Sequence, residues 1–335
     1  MLFRSEYNMI ETLIHTDVTD FNKDTLKKLK PYFDLNVIQS TADGRELWFH
    51  NLLTLAKYNL SIAHCVQHNH YPRLHIETKF QDQLPEFYDP TYENQIGCWS
   101  GFKAADTMQL NGNAVSGTKQ WISSVDRADF GIFRVPVNDT EAYVMIDFAH
   151  ANPVIDMGYT TPIGMQIARP GSITLDNYNL PDNSILGYRK YHENSPEFFH
   201  ITNMSDYCFV TNYLGIVLSL YQELGQYIER TNINVDYNYK KLGLSVSALL
   251  MMWQDNLASV HTTIPTDNFW HRRNTQYTQS KNILLEIISL ILHIGDSRWV
   301  DACSPNNQRF RDALSFSSHM KPLYRNLQEK HFVHL

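Results

Sequence analysis

The pattern of residue types in this sequence changes twice along the chain, and these changes limit the folds it can adopt. Up to about residue 80, apolar residues recur at spacings of three to five, which is typical of amphipathic helices. From roughly 90 to 187, Gly and Pro separate short β-rich runs, with turn signals at Asn111-Gly112 and Pro170-Gly171. Beyond about 195, three long patterned stretches each have room for several helical turns. The order of helix, then β, then helix indicates an α+β multidomain protein.

Domain boundaries are predicted where the pattern of residue types changes. We expect an N-terminal helical domain over residues 1–90, a middle β-barrel or sandwich over 91–190 and a C-terminal helix bundle over 191–335. A chain of 335 residues is long enough for two or three separate cores. The stretch from Gly112 to Lys119 is predicted to be a hairpin, because its lysine is one residue out of place for a phosphate-binding loop. The polar run PTDNFWHRRN is expected to connect the last two long helices.

Charge and hydrophobicity exclude several classes of partner. The net charge of -7 gives no attraction to nucleic acid or to anionic lipid. The longest apolar stretch, from Ile283 to Ile294, is interrupted by Glu286 and His293, so no membrane span is predicted. The first residues carry acids and lack an apolar signal segment. We therefore expect a cytoplasmic protein that binds neither nucleic acid nor membrane.

The cysteines and histidines do not form a metal-binding pattern. The four cysteines lie far apart without a C-x-x-C pair, which argues against disulfides and against a thiolate zinc site. His64 and His68 have a spacing that could present two imidazoles to one metal, but no carboxylate follows at a matching offset. We predict that they are polar or cavity-lining residues and that the protein holds no metal.

One short segment has the residue types of a heterocycle site. By the two-residue period of a strand, Trp121 and Ser123 would share one face. An indole and a hydroxyl placed in this way could pack on a planar ring and donate a hydrogen bond to it. An edge tryptophan beside surface serines is the plainer alternative.

The order of several motifs resembles the acyl-CoA dehydrogenase family over nearly the whole chain. Trp121-Ile-Ser123, preceded by Gly117-Thr-Lys119, is similar to the family's W-[IV]-[ST] strand. Ile163-Gly164-Met165-Gln166 is similar to its G-M-R segment, and Leu180-Pro181 to Gly187 is similar to the exit from its β domain. The C-terminal Arg311-Asp312, followed by His319, resembles the flavin-dependent monooxygenase branch of the superfamily.

The resemblance implies a flavin between the β domain and the bundle, in a homodimer or homotetramer. Its cofactor would be FAD, with FMN possible. The ring would lie near Trp121, with Ser123 bonded near its reactive N5. The residues that would contact the cofactor are Trp99, Ser100, Trp121, Ser123 and Ser124.

Three functions follow from the resemblance. The first is oxidation of an acyl thioester such as an acyl-CoA, for which Asp206 is the candidate base, although the position also suits a helix N-cap. The second is a two-component monooxygenase on another small molecule, with His319 near the ring. The third is a non-catalytic member of the family that acts as a binding or scaffold protein.

Overall fold

Helices precede and follow a block of strands, as the pattern of residue types predicts, and the α+β class is confirmed. The computed structural model describes residues 21–33, 42–79, 84–88, 95–100, 106–138, 140–158, 163–190, 196–234, 236–259, 267–294, 299 and 305–319.

The helices are longest in the C-terminal part of the described chain. The last long helix begins at Asp267, so most of the run expected as a polar connection forms its first turns, which corrects that prediction. None of the described helices is both long and apolar enough to cross a bilayer. The helices are α1 (Lys23–Leu29), α2 (Ala42–Tyr58), α3 (Leu60–Lys79), α4 (Phe148–Ala151), α5 (Pro196–Thr231), α6 (Asp236–Ser259), α7 (Asp267–Ile294) and α8 (Pro305–His319), with a 3-10 turn at Lys30–Phe33 and another at Val125–Arg127.

The strands found among the described residues form two four-stranded sheets. One has the order β1-β4-β5-β8, with β1 parallel to β4, and the other has the order β2-β3-β7-β6. The strands are β1 (Gly97–Ser100), β2 (Gln109–Asn111), β3 (Ala114–Ser123), β4 (Phe130–Val137), β5 (Thr140–Asp147), β6 (Val154–Asp156), β7 (Pro170–Asn179) and β8 (Ile185–Lys190).

Strands β4 and β5 are buried on both faces, which explains why they read as nearly continuous apolar runs. Phe133 and Val135 alternate with Phe130 and Ile132, and the two pairs belong to two different apolar clusters. The first cluster also contains side chains of β3 and β7, so it fills the space between the two sheets. The second cluster includes Ile76 of α3. The sheet of β4 and β5 is therefore the central layer of the β-rich unit.

The hairpin predicted near Gly112 is confirmed. Asn111 pairs with Ala114 across a two-residue turn, and Gly112 has a φ of 61°. Two-residue hairpin turns favour this left-handed conformation, which Gly adopts without steric cost.

The chain divides into two compact units. One contains α1, α3 from His64 onward and all eight strands. The other contains α2, the first residues of α3, the short segment Ile163–Gln166 and the bundle helices from Asn203 onward. The sequence boundaries at residues 90 and 190 remain a prediction, since these units are assembled from discontinuous segments.

Candidate functional site

The end of strand β3 is distorted at Trp121. Lys119 pairs with Ile173, but Ile122 pairs with Gly171, so β3 carries one extra residue at this point. Trp121 lies in this bulge with a φ of 59°, a conformation that is rare for a bulky residue. Its side chain is 37% exposed, whereas Ser123 is only 5% exposed. The bulge therefore breaks the two-residue alternation by which the sequence placed both residues on one face.

Two consecutive hydroxyls follow Trp121, and helix α3 binds both. The Oγ of Ser123 lies 3.4 Å from Nε2 of His64, and the Oγ of Ser124 lies 2.8 Å from Sγ of Cys65. All four side chains are buried. Ser124 has a left-handed backbone, and its carbonyl accepts the N–H of Arg127 to close the following 3-10 turn. We call Trp121 to Ser124 the β3 corner.

Strand β1 brings a third predicted hydroxyl close to this corner. The Oγ of Ser100 donates to the carbonyl of Gln120 at 3.4 Å, next to Trp121. Trp99 instead packs on Tyr143, with ring centroids 5.9 Å apart, in the apolar cluster of β4 and β5. The structure therefore groups Ser100, Ser123 and Ser124 around Trp121, while the contact it shows for Trp99 lies within the sheet.

A buried ion pair underlies the same strand. Nζ of Lys119 lies 2.8 Å from Oδ2 of Asp106, and both side chains are fully buried. Lys119 also donates to the carbonyl of Arg134 at 2.8 Å, and Asp106 accepts the N–H of Gln120 at 3.0 Å. Burial lowers the pKa of Lys119, and its hydrogen bond with Asp106 opposes that shift. The ion pair and its hydrogen bonds thus connect Lys119 and Gln120, the two residues before the corner, to the segment at Asp106 and to strand β4.

The segment that resembles a G-M-R motif is held by helix α8. Gly164 donates its N–H to Oγ of Ser315 at 2.7 Å, and Met165 donates its N–H to Oδ1 of Asp312 at 2.6 Å. A Cβ on Gly164 would lie 2.2 Å from the backbone of Arg311, so only glycine permits this approach. Asp312 is fully buried, and burial raises its pKa to about 7. Its place in the structure is that of an anchor for this segment.

The two catalytic candidates lie on bundle helices. Asp206 is the eleventh residue of α5, so it is inside the helix, and the N-cap role considered from the sequence is wrong. His319 is the last residue of α8. The side chains of both residues lie outside the described set, and their roles remain predictions.

Sequence reasoning did not find the partners of the corner. His64 and Cys65 precede Ser123 and Ser124 by 59 residues, and nothing in the pattern of α3 singles them out for this contact.

The ring centroids of His64 and His68, the pair considered as metal ligands from the sequence, lie 4.3 Å apart. Among the residues with described side chains, no three His, Cys, Asp or Glu side chains are grouped as metal ligands.

Comparison with known proteins rests on structure, since no protein-family model and no curated protein matches this sequence. Dibenzothiophene monooxygenase TdsC from Paenibacillus sp. A11-2 matches with a TM-score of 0.73 at 13% identity, over 93% of this chain and 89% of that one. Butyryl-CoA dehydrogenase from Megasphaera elsdenii matches with a TM-score of 0.73 at 12% identity, over 92% and 88%. This chain has the acyl-CoA dehydrogenase fold. KijD3, solved with FMN and a dTDP-linked amino sugar, matches with a TM-score of 0.74 at 12% identity, over 94% and 87%.

The acyl-CoA dehydrogenase fold confirms the architecture that the motif order implied. The three similar structures include a dehydrogenase and a monooxygenase at the same TM-score of 0.73. Their sequence identities of 12% to 13% establish the fold and leave the activity to be decided by this chain's own residues.

The β3 corner has the chemistry that a planar polar ring requires. Trp121 offers a partly exposed indole beside the buried Ser123 hydroxyl. A hydroxyl has one donor and two acceptor sites, so the bond to His64 leaves Ser123 able to form another. The corner therefore contains an indole and a hydroxyl, which are the two kinds of group that an isoalloxazine ring would need for packing and for a hydrogen bond.

Proposed function

We propose that this protein is a flavin-dependent oxidoreductase that binds the flavin ring at the β3 corner. The observation that carries the proposal is the strained, partly exposed Trp121, which lies two residues before the first of two consecutive buried and oriented hydroxyls. Strained backbone conformations cluster at functional sites, where the surrounding structure maintains them. The fold, shared with TdsC and KijD3, supports the same conclusion.

The proposal assigns separate tasks to the residues of the corner. A bound flavin would supply two-electron redox chemistry. Trp121 would cover part of one face of the ring and exclude water from it. Ser123 would hold a proton at the polar edge of the ring, and Ser100 and Ser124 would fix the backbone on either side through their bonds to Gln120 and Cys65.

The flavin that the proposal requires is either FMN or FAD. TdsC and KijD3 were each solved with FMN. The sequence resemblance implies FAD, with FMN possible. We propose FMN or FAD as the ligand and test both with the same titration.

Replacing Ser123 with Val should weaken flavin binding. The loss of one hydrogen bond of about 1 kcal/mol corresponds to a roughly fivefold increase in Kd. Quenching of flavin fluorescence during titration with protein measures this constant for FMN and for FAD. Ser116→Val is the matched control, because Ser116 lies near the start of the same strand and bonds the N–H of Asn177. Equal Kd values for both variants and the parent protein would show that the ring is not at the corner.

Between the two expected reactions, we place monooxygenation first, because Arg311-Asp312 followed by His319 resembles the monooxygenase branch. Dehydrogenation of an acyl thioester needs a carboxylate base, for which Asp206 is the candidate. Proton transfer in the monooxygenase reaction can use His319. Acyl thioester oxidation is therefore the second candidate.

Two measurements on the flavin-loaded protein separate these reactions. We expect the reduced flavin to consume oxygen in air, and we expect acyl-CoA to leave the oxidised flavin absorbance unchanged without oxygen. His319→Ala should abolish substrate oxygenation while flavin binding persists, and His293→Ala at an exposed position of α7 is its control. Anaerobic bleaching by an acyl-CoA would reverse the order of the two candidates.

A scaffold role is the remaining alternative, and it predicts a protein that binds neither FMN nor FAD.

The proposal also includes a homodimer or homotetramer. Leu244 and Met251 on α6 are exposed and seven residues apart, as are Leu285 and Leu292 on α7. This spacing places each pair on one face of its helix, and α6 packs against α7. Such exposed apolar side chains support association of subunits through the bundle.

A further inference from the structure

We propose that His64 is a positioning residue that sets the hydrogen-bond direction of Ser123 and thereby the preference of the site for oxidised or reduced flavin. The inference rests on the proposed function, because it concerns the same corner. It adds a residue to which the sequence motifs assign no role.

The geometry of the pair supports this role. His64 is the fifth residue of α3 and is buried, with Nε2 lying 3.4 Å from Oγ of Ser123. The adjacent residue, Cys65, bonds Ser124 at 2.8 Å. Two consecutive helix residues thus bind two consecutive residues of the corner, so rotation of the Ser123 hydroxyl is restricted by an element that is itself fixed by a second contact.

The chemistry of a hydroxyl makes its direction important. If Nε2 of His64 accepts the Ser123 proton, the oxygen of Ser123 can only accept a hydrogen bond from a ligand. If Nε2 carries a proton and donates it, the Ser123 hydroxyl is free to donate to the ligand. The N5 atom of an oxidised flavin is an acceptor, whereas N5 of a fully reduced flavin carries a hydrogen and is a donor. One direction therefore favours the oxidised ring and the other favours the reduced ring.

The ratio of the two flavin affinities tests this inference. Kd is measured for oxidised FMN in air and for reduced FMN without oxygen, and the midpoint potential is measured independently. We expect His64→Leu to change the ratio of the two Kd values by about fivefold, which is a shift of about 20 mV for a two-electron couple. In the Ser123→Ala background, the same substitution should leave the ratio unchanged. His293→Leu is the control for the same chemical change at an exposed site.

A second measurement uses the protein without flavin. Denaturant unfolding of His64→Leu, Ser123→Ala and the double variant forms a double-mutant cycle. If the two side chains are bonded, the double variant should differ from additivity by about threefold or more in the unfolding equilibrium constant. Additive effects would overturn the inference, because the hydroxyl would then not be held by His64.

The outcomes distinguish this inference from the proposed function. Tight flavin binding with the same affinity ratio in His64→Leu as in the parent protein would overturn the inference alone. Failure to bind FMN or FAD in either redox state would overturn both. A changed ratio that persists in the Ser123→Ala background would also overturn it, because His64 would then act on the ring without Ser123.

Discussion

Replacing Lys119 with Met is expected to destabilise the protein by about 3 to 5 kcal/mol, the usual cost of leaving one charge of a buried ion pair without its partner. Asp106 would keep its carboxylate in a site where its side chain is fully buried. The carbonyl of Arg134 would also lose the N–H donor that Lys119 supplies. Chemical denaturation at pH 7 measures the change in the free energy of unfolding.

Two further variants identify the charge as the cause. Asp106→Asn in the Lys119→Met background removes the carboxylate but keeps an oxygen for the N–H of Gln120, so it should recover part of the lost stability. Lys241→Met, at an exposed position of α6, should change the stability by less than about 0.5 kcal/mol. If the double variant is no more stable than Lys119→Met alone, the loss comes from packing rather than from the unpaired charge.

Local sequence patterns predicted the helices and hairpins of this fold well, because these elements depend mainly on residues that are close in sequence. The Gly112 hairpin and the long helices follow from turn chemistry and from periodicity. Pro170-Gly171 was predicted to be a turn and instead begins β7. The glycine serves a tertiary purpose there, since a Cβ on Gly171 would lie 2.8 Å from Cγ1 of Val125 and 3.0 Å from the carbonyl oxygen of Asp156. A glycine required for packing looks the same in sequence as a glycine required for a turn.

Of the candidate site, the sequence predicted mainly residues that are adjacent on strand β3. Trp121, Ser123 and Ser124 were found because they are adjacent and match a known pattern. Their orientation was not found, because it depends on a bulge and on contacts with His64 and Cys65, which are 59 residues away. Lys119 was dismissed as a phosphate ligand for a valid reason, but its pairing with Asp106 could not be read from spacing. Long-range polar contacts follow from the packed fold and have no periodic signal.

Asp312 is expected to make the stability of this protein fall as the pH rises. Burial raises its pKa to about 7, despite hydrogen bonds from Met165, Gln308 and Ser61 that favour the carboxylate. The folded protein therefore holds this proton between about pH 4 and pH 7, whereas the unfolded chain has already released it. The contribution to stability is fully present below the unfolded pKa and is lost as the pH passes through the folded pKa. Between pH 5 and pH 8 this loss amounts to about 2 to 3 kcal/mol.

Comparison of Asp312→Asn with the parent protein isolates this contribution. Asn is similar in size to the neutral acid, keeps one oxygen for the N–H of Met165 and does not ionise. The free energy of unfolding of the parent protein should therefore fall by about 2 to 3 kcal/mol more than that of Asp312→Asn between pH 5 and pH 8. Asp255→Asn, at an exposed position of α6 in the same unit, should follow the parent protein across this range. Parallel pH profiles for the parent protein and Asp312→Asn would mean that Asp312 is already ionised in the folded protein. The segment at Gly164 and Met165 would then be anchored to helix α8 by a carboxylate rather than by a neutral acid.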